Sequence, residues 1–213
     1  MPWPKDRKAR TRARIVATAA SAVRAKGVAG VGVADIMAGA GLTHGGFYAY
    51  FPSKDDLLAE AVEYAGRQSF AKLAGSTDSA STERRLHAVI DAYLSPWHLR
   101  HLDLGCPVAA LGPEVARAGG RMQRNLGRTI RQRLDWLRGL IPDDRRTRAR
   151  DEQVVGALAC MLGGMILARA VGERESAVLL EACRGFLHRA LGEGPDKVIA
   201  ARRKRLTRKP RTA

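Results

Sequence analysis

Residues 41–58 read GLTHGGFYAYFPSKDDLL, and the fold turns on this stretch. Thr43 offers an N-cap to a short helix running to about Tyr50, because a threonine hydroxyl can take up an orphan backbone N–H. Pro52-Ser53 then opens another helix. Ser53 is its cap, and Asp55 and Asp56 put negative charge in the first turn, where the helix dipole favours it. That helix reads on to about Leu73, with Leu57, Leu58, Ala61 and Tyr64 facing inward. Phe47 and Phe51 are four residues apart, so helical spacing puts both on one face, and plain core is the expected role.

Working outward, Gly39-Ala40-Gly41 breaks a short helix over 33–39, for which Gly32 is a permissible N-cap. Before it, residues 8–26 place Ile15, Ala19, Ala22 and Val23 on one stripe, with Gly27 as a stop signal. Two short helices split by a glycine-containing turn, with a third ahead of them, form a helix-turn-helix layout. A helix entering a major groove about 12 Å wide needs a slim N-terminus. His44, Gly45 and Gly46 supply one and let backbone approach base edges. Thr43, Tyr48 and Tyr50 place hydroxyls where phosphates would lie. Lys54, on a helix N-terminus just after Ser53, adds a phosphate clamp.

Charge points the same way. The 213 residues hold 37 Lys and Arg against 21 Asp and Glu, a formal net charge of +16. Residues 1–52 carry +6, residues 197–213 carry +8, and the 144 between carry only +2. Four of the eleven aromatic side chains, Phe47, Tyr48, Tyr50 and Phe51, fall within five consecutive residues of the first basic segment. A polyanion is the expected partner, double-stranded DNA in particular.

GLTHGGFYAYFPSKDDLL resembles the recognition helix and following helix start of the TetR (tetracycline-repressor-like) family. VGVADIMAGAG and ARTRARIVATAASAVRAKG, which precede it, are similar to that family as well. The likeness is close over residues 8–60, and beyond them it extends only to helical layout. It implies an all-α homodimer with a three-helix DNA-binding head and a larger ligand-binding body. It also implies repression of transcription, relieved when a small molecule enters the body. Thr43, His44, Gly45, Tyr48, Tyr50 and Lys54 match DNA-contact positions of the family. Three positions depart from its pattern. Gly32 stands where Ser or Thr is usual, Ala34 where Arg is frequent, and His44 where Lys is common. The terminal arginines are the candidates to replace the missing phosphate anchor.

The rest of the chain also reads as helix, so the expected class is all-α. Segments at about 82–101, 107–118, 121–140, 151–171 and 174–191 are divided by Gly105, Gly119-Gly120, Pro142-Asp143-Asp144 and Gly172. The expected organisation is a DNA-binding domain over 1–52, a connecting helix over 53–75, a ligand-binding and dimerisation domain over 82–192, and a basic tail over 193–213. The small, polar stretch 75–81 is read as a linker between the two domains. The tail has no counterpart in the resemblance, and its tip is expected to be disordered. Tyr93, Trp97, Leu102, Val108, Met122, Leu126, Trp136, Met161 and Met165 are candidate walls of a pocket for a small-molecule inducer. Each has ordinary core as its alternative. Met161, Leu162, Met165, Leu179, Cys183, Phe186 and Leu187 are candidate dimer contacts. Gly156, Gly163 and Gly164 would allow close helix approach there.

Cys106 lies in LGCPVAAL at a predicted helix start, where the dipole lowers a thiol pKa. The stretch GCPVAAL resembles a subset of the family in which some members sense electrophiles or oxidants through cysteine. A redox or electrophile sensor is one reading, and inert buried cysteine is the other. His87, His98, His101 and Cys106 fit no standard zinc spacing, so no metal is expected. There is no nucleotide loop, nucleophile elbow or paired catalytic carboxylates, so neither an enzyme nor a cofactor is expected. The longest uncharged apolar run, Val154 to Ala168, is short for a bilayer span. No membrane role is expected, and three scattered cysteines fit a cytoplasmic protein. The expectation is a dimeric, ligand-responsive repressor of a palindromic operator. Its rival is a sequence-indifferent nucleoid-type DNA-binding protein.

Overall fold

The computed structural model describes residues 4–78, 80, 82–141 and 147–192. Among these residues there are nine α-helices and no strand. Helix α1 (Pro4–Lys26) is followed by α2 (Val33–Gly39), a 3₁₀ segment (His44–Ala49) and α3 (Lys54–Gly75). The body comprises α4 (Thr82–Tyr93), α5 (Pro96–Arg100), a 3₁₀ turn (Leu102–Leu104), α6 (Pro107–Ala118), α7 (Gly120–Leu140), α8 (Thr147–Arg169) and α9 (Glu173–Gly192).

Local chemistry explains the ends. The Ser53 hydroxyl accepts the Asp56 amide at 3.1 Å and donates to Asp56 Oδ2 at 2.7 Å, a reciprocal cap on α3. Thr43 holds the N-cap position of the 3₁₀ segment, but its hydroxyl makes no capping bond. Helix α1 stops at Gly27, whose φ of +78° is open to glycine and costly for other residues. The expected helix over 82–101 is two helices. Pro96 disfavours helical backbone at Ser95 and cannot donate to a continuing helix. Ser95 instead caps α5 by accepting the His98 amide at 3.2 Å.

Two hydrophobic clusters hold the chain. The first joins Ile15, Ala19, Val23, Ile36, Phe47, Phe51 and Leu58 to Leu111, Val115, Met122 and Leu126. Helices α6 and α7 thus complete the core of the head. The second lies within the body, around Ile90, Leu94, Leu137, Met161, Met165 and Leu180. Helix α3 packs along both α1 and α7. A Cβ on Gly66 would sit 2.3 Å from Thr129 Oγ1, so glycine is what lets α3 and α7 approach. The stretch 75–81, read as a linker, follows a helix shared by head and body, so the head's core is not set apart there.

Helix α8 is long and apolar enough to cross a membrane by length and composition alone. Its Val154, Ala157, Met161, Met165 and Ala168 are buried against the chain's own helices, while Val155, Ile166 and Leu167 face out.

Candidate nucleic-acid interface and effector cavity

The segment 43–54 is split into an inner and an outer face. Phe47 and Phe51 are each 1% exposed and stack at 5.9 Å between ring centroids, as core. Arg12 lies over Phe51 at 4.4 Å and grips Glu60 with two bonds of 2.7 and 2.6 Å. That fork ties α1 to α3. Thr43, His44, Gly45 and Tyr48 are exposed, Tyr48 at 74%, and Gly46, Tyr50 and Lys54 are half-buried. A Cβ on Gly45 would meet nothing within 4 Å, and one on Gly46 only Met37 Cε at 3.8 Å. Neither glycine is demanded by packing inside the chain, and both have negative φ.

Beside this face, Arg7, Arg10, Thr11 and Arg14 of α1 line a groove with Gly41, Leu42 and Tyr50. The basic start of α1 was visible in the sequence, but its approach to Tyr50 was not. Helical spacing of 7, 10/11 and 14 puts these side chains on one face, and the bend at Gly41 (φ +68°) brings the turn to it.

In the body, a cavity of about 360 Å³ lies between α3, α4, α5 and α7. Tyr93 and Trp97, two of the nine candidate ligand residues, are on its wall, and so is Cys106. The other seven candidate ligand residues are elsewhere. Met122 and Leu126 belong to the head's core, and Met161 and Met165 to the body's. Val108 packs between the two clusters, Trp136 packs edge-on to Phe70 at 5.1 Å, and Leu102 is 39% exposed. Helical stripes show that most of these residues face inward, but not which helix they meet, and Leu102, in a 3₁₀ turn, lies on no such stripe.

Ser69, Lys72, Leu73 and Arg133 line the cavity and were missed. Arg133 left a signal. Met122, Leu126, Thr129, Arg133 and Leu137 recur at helical spacing on the buried face of α7, which puts an arginine on an inward stripe.

His98, 6% exposed, is held by its backbone surroundings. Its Nδ1 is 2.7 Å from the Tyr93 carbonyl, and its Nε2 accepts the Cys106 amide at 2.9 Å. Accepting at Nε2 makes Nδ1 the protonated nitrogen of a neutral ring. Burial pushes its pKa down to about 4. Cys106 is 4% exposed and stands at the N-cap of α6, whose first residue is Pro107. Behind it, Arg24 of α1 reaches the carbonyls of Ala65 and Gly105 at 3.4 Å and Gln68 Oε1 at 2.7 Å. Burial lowers its pKa to about 10, still charged at neutral pH. Glu114 of α6 accepts the Val28 amide at 2.7 Å. The cavity wall is thus bonded directly to the end of α1.

His87 and His188 stack at 4.6 Å, with His188 Nε2 2.9 Å from Asp91. His101 stacks on Trp97 instead, so these histidines do not converge with Cys106.

Three of the seven candidate dimer contacts require correction. Met161, Met165 and Leu187 are at most 2% exposed and form intrachain core. Phe186 is 56% exposed, and Leu162, Leu179 and Cys183 are half-buried. The outward face carries Val155, Ile166, Val178 and Phe186. Both helices are apolar around much of their girth, so composition alone did not separate the faces. Cys160 lies near Cys183, and burial together with that neighbour pushes its thiol up to about 11.

Residues 15–61 match the family model for bacterial regulatory proteins of the tetR family. An uncharacterized HTH-type transcriptional regulator of Mycobacterium tuberculosis is 29% identical over 172 residues, covering 74% of this chain and 84% of that protein. A TetR transcriptional regulator from Chloroflexus aurantiacus superposes with a TM-score of 0.73 at 27% identity, over 85% of this chain and 94% of that one. The reduced form of Escherichia coli NemR shares the fold, with a TM-score of 0.70 at 20% identity over 83% and 94% of the two chains.

Proposed function

We propose, for a chain that is a TetR-family transcriptional regulator by its head and its fold, that it is a cytoplasmic repressor. In this reading it binds a palindromic operator as a dimer and is released by a small molecule. The observation that carries the reading is the exposed, slim face of residues 43–48 above a buried Phe47–Phe51 core, flanked by the Arg7–Arg14 groove. Thr43, Tyr48, Tyr50 and Lys54 position the head on phosphates, His44 reads a base edge, and Gly45 and Gly46 let the backbone come close. Arg7 and Arg14 supply the anchor that Gly32 and Ala34 cannot.

Dimerisation falls to the outward face of α8 and α9. Val155, Ile166, Val178 and Phe186 form an apolar surface of the kind a second copy covers. Phe186→Glu should shift the protein to monomer in sedimentation and abolish operator binding. A variant that stays dimeric would remove this face from the interface.

Release runs from the cavity. An occupant that moves the Gly105–Cys106 wall also moves Arg24 and Glu114, which hold α1, and so changes head spacing. Cys106 is a second way in, because an electrophile that enters the cavity meets it. Alkylation should then weaken operator binding in wild type and not in Cys106→Ser. Equal affinity in both would sink that role.

The test of the whole reading is competition. The intergenic DNA beside the protein's own gene should be bound roughly 10³-fold or more over random duplex. Equal competition by random duplex would favour a nucleoid-type protein.

A further inference from the structure

We propose that the body cavity is a receptor for a small organic acid, with the ligand carboxylate meeting Arg133 and the Tyr93 hydroxyl. The apolar part of the acid lies against Leu73, Leu104 and Trp97. This assignment rests on the effector-responsive reading above and names the chemical class of the effector.

The first observation is a buried cation without an acid. Arg133 is 4% exposed on the cavity wall, and among the described residues no Asp or Glu lines that wall. One guanidinium nitrogen donates to Ser69 Oγ at 2.8 Å, and Phe70 lies 5.4 Å from the guanidinium. Its Nε has no partner among the described residues. Arginine cannot discharge to escape burial. A buried charge with so little compensation is costly, and an apolar side chain in its place is often no less stable. The same group is a strong receptor for a planar carboxylate, which its fork matches in shape.

The second observation is the company it keeps. Tyr93 is 3% exposed, and its Oη has no nitrogen or oxygen partner among the described residues. The Cys106 thiol beside it is a weak acceptor. Burial holds the phenol well above its ordinary pKa, so it stays an O–H donor. His98 adds no free donor, because Nδ1 faces the Tyr93 carbonyl and Nε2 accepts from Cys106. At the mouth, Lys72 Nζ lies 3.4 Å from the Trp97 ring centroid, a second cation on the path in. The charged lining is therefore all of one sign.

The size limits the class. A volume of about 360 Å³ is near the lower end for ligand cavities. It suits a monocarboxylate of about a dozen non-hydrogen atoms. One guanidinium and one phenol match a single carboxylate better than a multiply charged phosphate.

The test uses the full-length protein and two matched pairs, 4-phenylbutyrate against 4-phenylbutyramide and octanoate against octanamide. Calorimetry should find the acids bound and their amides at least about tenfold weaker. Arg133→Met should weaken the acids by roughly 10- to 100-fold and leave the amides unchanged. Tyr93→Phe removes one hydroxyl and should weaken the acids by about three- to tenfold. It decides the matter, with the acid–amide comparison, if Arg133→Met does not fold. Equal binding of acid and amide, undiminished acid binding in both variants, or no binding of either acid would overturn the assignment. Release of operator DNA is measured separately. Release by the neutral amides at the same concentrations as the acids would overturn the acid class and leave effector control standing. An acid that binds through Arg133 without releasing DNA would keep the receptor and overturn effector control.

Discussion

At the scale of single residues, the proposed function gives the polar groups of the head different tasks. Tyr48 stands 74% exposed with its ring edge-on to Phe47 at 5.2 Å, so the core aims its hydroxyl outward. Tyr48→Phe should weaken binding to all DNA sequences alike, as loss of a phosphate contact does, whereas His44→Ala should change which base is preferred. Uniform weakening by His44→Ala in a binding-site selection would make His44 a positioning contact. His98 gives a second measurable effect. Its pKa falls from 6.5 to about 4 on folding, so below the unfolded value the unfolded chain binds the extra proton. Its contribution to stability is then lost as pH falls from 6.5 toward about 4, with a slope up to about 1.4 kcal/mol per pH unit. Urea unfolding of wild type and His98→Gln over this range should show a steeper loss of stability in wild type. The residues 43–54 were legible because cap, glycine and aromatic spacing are local. Arg133 was legible only as an arginine on an apolar stripe, since its missing acid is a fact about α3 and α4.

At the scale of elements, the joint between α1 and α6 matters most. Gly27 turns the chain at a φ of +78°, and a Cβ there would sit 2.7 Å from Glu114 Oε1. Glu114 in turn holds the Val28 amide. Gly27→Ala should therefore cost about 1–2 kcal/mol, read as a melting point about 2–8 °C lower. An unchanged melting point would mean that this joint contributes no stability. Helix limits came through well in the sequence, since Ser53, Gly27 and Gly119 act on their own neighbours. The break at Leu94–Ser95 was announced by Pro96, yet 82–101 reads as one apolar pattern on both sides of it. Thr43 shows the converse, a capping residue in place whose side chain caps nothing.

At the scale of the whole molecule, charge and apolar surface are separated. The head carries +6 and the central 144 residues +2, while the +8 of residues 197–213 lies outside the described residues. If that segment touches DNA, deleting residues 200–213 should flatten the dependence of log affinity on log salt. An unchanged slope would remove the segment from the interface. The described body places most of its exposed large apolar side chains on α8 and α9, and Arg133, with no described acid beside it, on the cavity wall.

The sequence by itself determined the helical class, the head and its outward residues, because these follow from spacing and capping over a few turns. Tertiary structure alone decided which apolar side chains of α8 and α9 are core. It also decided that Met122 and Leu126 serve the head, and that Arg133 faces a cavity with Tyr93. Those are questions of which helix meets which. A periodic stripe specifies that a face is buried, and only the packed chain specifies against what.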